Sequence, residues 1–173
     1  EVSTPEMLQR AARAATGLKR QFGVGEGDTV AILMRNDFGF LEATFAANRV
    51  GAYAVPVNWH FQDAEIAHIL KDAAAKVLVL HADLHANLDL SVLPDDMAIL
   101  VAPTPPELQE SYGLAADQCD VAEGQINWST WLEQFEPSDE PPAAERSSMI
   151  YTSGTTGRPK GVKRQPMEAK HHE

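Results

Sequence analysis

The run Tyr151-Thr152-Ser153-Gly154-Thr155-Thr156-Gly157-Arg158-Pro159-Lys160-Gly161-Val162 concentrates the groups needed to hold a polyphosphate. Thr152, Ser153, Thr155 and Thr156 bring hydroxyls, Lys160 brings a cation, and Gly154 and Gly157 permit the positive φ with which backbone N–H groups close around an anion. Pro159 fixes φ just before Lys160 and limits how far that backbone can wander. A flexible Ser/Thr/Gly linker would not need the apolar run Met149-Ile150-Tyr151 on one side and Gly161-Val162 on the other. A Walker A loop is excluded by order: Arg158 and Pro159 separate Gly157 from Lys160, and Gly161 stands where that loop carries Ser or Thr.

Charge supports the same reading independently. The chain carries a net charge of −11, yet residues 151–164 hold Arg158, Lys160, Lys163 and Arg164 with no acid. A globally acidic surface argues against nucleic acid and anionic membrane as general partners, while one cationic loop still attracts a small anion carrying compensating Mg²⁺. No run of about eighteen apolar residues exists to span a membrane, and Glu1-Val2-Ser3-Thr4 lacks the basic-then-apolar order of a signal peptide. Cys119 is the sole cysteine, so no internal disulfide can form, which fits a reducing cytoplasmic setting; no flanking motif marks it as a nucleophile.

The histidines do not build a second site. His81 and His85 are four apart with Asp83 between them, but His81 falls where a strand ends, so a shared metal-binding helix face is not expected. His60 reads as a loop residue beside Trp59, and His171-His172 as tail. None joins a Ser/His/Asp or Cys/His arrangement, so covalent hydrolysis has no sequence support.

The elements that must position the loop alternate. With 173 residues, 44% of them hydrophobic, the chain can bury an ordinary core. Ser3 or Thr4 caps a helix that places Leu8, Ala11, Ala15, Leu18 and Phe22 on one face and stops at Gly23. Residues 29–34 are nearly all apolar, as in a strand buried on both faces; Asn36 or Asp37 then caps a helix through Phe40, Leu41, Thr44, Phe45 and Asn48 to Gly51. Residues 52–57, 76–80 and 97–101 read as further strands, with helices over 63–71 and 82–90. This order predicts an α/β fold of alternating βαβ units, with a mainly parallel sheet flanked by helices.

The expected divisions are 1–102 for the sheet subdomain, 103–146 for a proline-rich connector with one short helix at 129–135, 147–164 for a strand-loop-strand phosphate motif, and 165–173 for a tail. Trp128 and Trp131, three apart, predict a buried helix face rather than a ligand platform.

Residues 151–162 resemble the signature of the adenylate-forming superfamily: acyl-CoA and aryl-CoA synthetases, firefly-type luciferases and the adenylation domains of peptide synthetases. The resemblance continues upstream through Gly27-Asp28-Thr29-Val30-Ala31-Ile32, Asn36, Phe45-Ala46-Ala47, Gly51-Ala52, Val55-Pro56-Val57-Asn58 and residues 65–80. Residues 81–146 match only in their alternation of elements. Asn58 followed by Trp59-His60-Phe61 looks more like the CoA ligases than the peptide-synthetase domains, which tend to show Asp-Pro there; Phe61 replaces a leucine frequent in the family.

The resemblance implies an ATP-dependent acyl-CoA synthetase. A carboxylate attacks the α-phosphate of ATP to give an acyl-adenylate and pyrophosphate, and the CoA thiol then displaces AMP. It implies ATP, Mg²⁺ and CoA, and a small carboxylic acid that can be fatty, aryl or short-chain. It places Ser153, Gly154, Thr155, Thr156, Gly157 and Lys160 around the β- and γ-phosphates and makes Thr152 a Mg²⁺ contact. Members of the superfamily are much longer, with adenine, ribose and second metal contacts and a catalytic lysine beyond this loop. The chain is therefore expected to be part of a large N-terminal domain with no complete catalytic set, inactive alone and prone to self-association through uncovered apolar surface. A non-catalytic interaction module that kept the fold, and an adenylating enzyme that does not use CoA, stay open.

Overall fold

The computed structural model describes residues 3–143, 146, 148–152 and 157–162. Its first elements are α1 (Thr4–Phe22), β1 (Thr29–Leu33), α2 (Phe38–Arg49), β2 (Tyr53–Pro56), α3 (Asp63–Asp72) and β3 (Val77–His81). They are followed by α4 (Ala82–Ala86), β4 (Ala98–Ala102), α5 (Pro106–Tyr112), β5 (Ile126–Asn127), α6 (Trp128–Leu132) and the short strands β6 (Ile150–Thr152) and β7 (Lys160–Val162). Among the described residues, no helix is long and apolar enough to cross a membrane.

The sheet order is β2-β1-β3-β4-β5 with every pairing parallel, the α/β arrangement expected from the alternation. β1 and β3 are aliphatic runs in which every residue is buried, because both faces of a parallel sheet are covered. Successive side chains point to opposite faces. Val30, Ile32, Val77 and Val79 meet a core that includes Ala14, Ala15, Ala43, Ala46, Trp128 and Leu132 from α1, α2 and α6. Ala31, Leu33, Leu78 and Leu80 meet a second core with Ile66, Ile69 and Leu70 of α3, and with Met149 and Tyr151. Met149 and Tyr151 thereby attach the hairpin to the α3 side.

Ser3 accepts from the Glu6 N–H to start α1, and Gly23 at φ 63° ends it. Two apolar faces differ from expectation. Leu8 of α1 is 48% exposed, and on α2 Phe38, Leu41 and Phe45 are 49%, 39% and 40% exposed. The face of α2 that is buried is Glu42, Ala43, Ala46 and Ala47. Alanines let α1 and α2 approach closely, and the Glu42 carboxylate is satisfied inside by Arg10 Nε at 2.6 Å and Trp128 Nε1 at 3.0 Å. A helical wheel cannot foresee that a carboxylate finds two donors on distant elements.

α4 is also shorter than expected, ending at Ala86, and a separate 3₁₀ turn follows at Leu90–Val92. Residues 103–146 do more than connect. α5 was not anticipated, and β5 adds a fifth parallel strand through Leu100↔Ile126 and Val101↔Asn127. The short helix α6 buries Trp128 and Trp131 as expected.

Trp131 packs against Phe22 and Phe135, and a Cβ on Gly17 would lie 2.5 Å from its ring and 2.7 Å from Phe135. Gly17→Ala is expected to cost about 1–3 kcal/mol by overpacking and to lower the thermal midpoint. Gly25→Ala, whose added methyl meets nothing within 4 Å, serves as the control. Equal melting of the two variants by circular dichroism would contradict this packing.

Candidate functional site

β6 and β7 form an antiparallel hairpin with register Ile150↔Val162, Tyr151↔Gly161 and Thr152↔Lys160. The register sets Thr152 and Lys160 opposite each other at the mouth of the intervening loop, both exposed. Gly157 has φ 88°, and a Cβ there would meet nothing within 4 Å. The backbone conformation, not crowding, is what calls for glycine. Ser153, Gly154, Thr155 and Thr156, with Lys163 and Arg164, lie outside the described residues.

The first strand of the hairpin is well anchored. The Met149 N–H donates to the Ala54 carbonyl of β2 at 3.0 Å, and the Met149 side chain is buried. Just before it, Arg146 donates to the Tyr53 hydroxyl at 2.9 Å and to Glu26 at 2.6 Å. The Tyr151 hydroxyl donates to Asp72 Oδ2 at 2.7 Å. Its ring occupies the space where a Gly161 side chain would stand, with an ideal Cβ only 2.7 Å away. On the return side, the Pro159 carbonyl accepts from His68 Nε2 at 3.2 Å. His68 and Asp72 are one turn apart on α3 and so share a face. Beside them an open groove of about 650 Å³ is lined in part by Glu65, His68, Lys71, Asp95 and Arg158. The sequence reading missed both anchors on α3; their i, i+4 spacing was visible, but not what they would face.

Other chemistry-bearing residues are used structurally. At the carboxyl ends of β1 and β3, where open parallel sheets commonly receive ligands, the described side chains pair with one another, although the buried Arg35 Nε has no hydrogen-bond partner. Buried Arg35 pairs with buried Asp83 at 2.6 Å, its guanidinium lying 4.7 Å from the ring centres of both Trp59 and Tyr112. Thr104 Oγ1 donates to Asp83 Oδ1 at 2.6 Å. His81 Nδ1 accepts from the Arg35 N–H, which leaves the proton on Nε2 to be donated to Asp37 at 3.1 Å.

His85 lies against Gln125 at 3.1 Å, and burial moves its pKa down. Cys119 is buried and donates to the Ala115 carbonyl; burial, then the Asp83 charge, pushes its thiol up, the wrong direction for a nucleophile. Among the described residues, no group of three or more His, Cys, Asp or Glu could hold a metal.

A five-stranded parallel sheet flanked by helices, with an anchored hairpin on its α3 side, is an arrangement shared with known proteins. The chain matches the family described as AMP-binding enzyme over residues 1–165, and it belongs to that family. It is 38% identical over 158 residues to the long-chain-fatty-acid–CoA ligase of Thermus thermophilus, covering 91% of this chain and 26% of the relative. It is 35% identical over 158 residues to the feruloyl-CoA synthase of an Amycolatopsis species, covering 91% of this chain and 27% of the relative. The crystal structure of the anthranilate CoA ligase AuaEII in complex with anthranoyl-AMP superposes with a TM-score of 0.73 at 26% identity, covering 92% of this chain and 29% of that one. The chain thus spans about a quarter of the length of the curated relatives it matches.

Burial, then the hydrogen bond and charge of Asp72, raise the Tyr151 phenol above its ordinary range. With the folded value above the unfolded one, this anchor contributes fully below about pH 10 and is lost as pH rises through the folded value. Denaturant unfolding followed upward from pH 9 should therefore lose stability less steeply in Tyr151→Phe than in the parent. Parallel pH profiles would refute the assignment.

Proposed function

We propose that the hairpin grips the pyrophosphate end of ATP in an acyl-CoA ligase reaction. A small carboxylic acid would attack the α-phosphate, pyrophosphate would leave, and the acyl group would pass from AMP to CoA. The observation that carries this reading is the register: it sets Thr152 opposite Lys160 at the mouth of a hydroxyl-rich loop whose Gly157 is left-handed. Lys160 would hold its ammonium against charge that grows on the departing pyrophosphate, so the contact strengthens toward the transition state. Backbone N–H groups and hydroxyls of the loop would surround the remaining oxygens.

The donor set fits Mg²⁺ arriving with the nucleotide. The described residues form no carboxylate cage, and Mg²⁺ at such sites is held largely by phosphates and water. Thr152 would supply one oxygen, and the ion would neutralise polyphosphate charge. CoA as acceptor is supported by the relatives named as CoA ligases and by Asn58-Trp59-His60-Phe61. Those relatives are named for fatty and aryl acids, which supports a carboxylic acid of either kind as substrate.

Calorimetric titration with magnesium pyrophosphate and magnesium ATP tests the grip. Lys160→Ala is expected to weaken binding roughly tenfold to a hundredfold, the value of one charge-assisted contact. Gly157→Val should weaken it comparably by straining the loop at about 1–3 kcal/mol, with the far-UV spectrum unchanged. Parent-like affinity in both variants would sink the proposal.

A further inference from the structure

We infer that α3 is the rail that sets the phosphate hairpin, and that His68 is the positioning residue for Lys160. The inference rests on the phosphate reading above and assigns that site a part outside the loop. A two-stranded ribbon of this length has little stability of its own, so its placement must come from what it touches. β6 has buried anchors in Tyr151 and in Met149 just before it. β7 has none, since Lys160, Gly161 and Val162 are all exposed.

On the return side, Pro159 is buried and its carbonyl takes the His68 N–H. That carbonyl lies in the same peptide plane as the Lys160 N–H. Holding the oxygen therefore orients the plane from which the Lys160 side chain departs, while the proline ring restrains φ on the other side. His68 sits one helical turn before Asp72, which holds Tyr151 on the opposite strand. One face of α3 thus grips the hairpin on both strands.

The test compares His68→Phe, which keeps ring bulk but removes the donor, with His68→Gln, whose amide can still donate. Amide hydrogen exchange at residues 160–162 without ligand, thermal unfolding, and titration with inorganic pyrophosphate and Mg²⁺ are measured on the full chain. In His68→Phe, exchange at 160–162 should quicken and pyrophosphate affinity fall roughly threefold to tenfold, the scale of one hydrogen bond, with the melting midpoint unchanged. His68→Gln should restore both readouts. Parent-like exchange in His68→Phe overturns the rail, and so does a Gln variant that behaves like the Phe variant. A parent that binds no pyrophosphate sinks the phosphate reading alone, because the exchange arm still decides whether His68 holds the strand.

Discussion

Everything in this molecule follows from β1 and β3 being buried on both faces. A strand with no solvent side forces two helical layers, and alternation along Val30-Ala31-Ile32-Leu33 and Val77-Leu78-Val79-Leu80 divides the apolar residues between two cores. One core takes α1, α2 and α6. The other takes α3, and with it Met149 and Tyr151, so the layer that closes the sheet is also the layer that receives the hairpin.

The hairpin combines a fixed base with an open mouth. Met149 and Tyr151 are held by burial, by the β2 edge and by Asp72, whereas Thr152, Gly157 and Lys160 face outward. The buried neighbours restrict the directions in which the exposed Lys160 side chain can be presented. Gly161 belongs to the base rather than the mouth, since its missing side chain is what makes room for the Tyr151 ring against the return strand.

The polar cluster at the carboxyl ends of the central strands is a contrast. Arg35, Asp37, His81, Asp83 and Thr104 carry capable groups, yet they hydrogen-bond among themselves, with Arg35 Nε left unpartnered. Paired buried charges make weak evidence for added stability but hold loop ends in a defined arrangement. Here they tie the turns after β1, β3 and β4.

At the hairpin, the strand-loop-strand pattern and the positive φ of Gly157 were legible in the sequence, because a glycine between two short apolar runs acts through local backbone geometry. The same holds for β1 and β3, whose unbroken aliphatic runs announce two-sided burial, for the Ser3 and Gly23 ends of α1, and for the buried Trp128 and Trp131. What failed had a common cause. Leu8, Leu41 and Phe45 point outward because alanine faces pack more closely and because Arg10 and Trp128 satisfy Glu42 inside. β5 has two residues and exists only as a partner for β4. The roles of His68 and Asp72 as anchors arise between segments far apart in the chain, α3 and the hairpin. A linear pattern records what each residue can do locally; only the packed chain decides which residue it does it with, because burial and hydrogen-bond pairing are settled between elements.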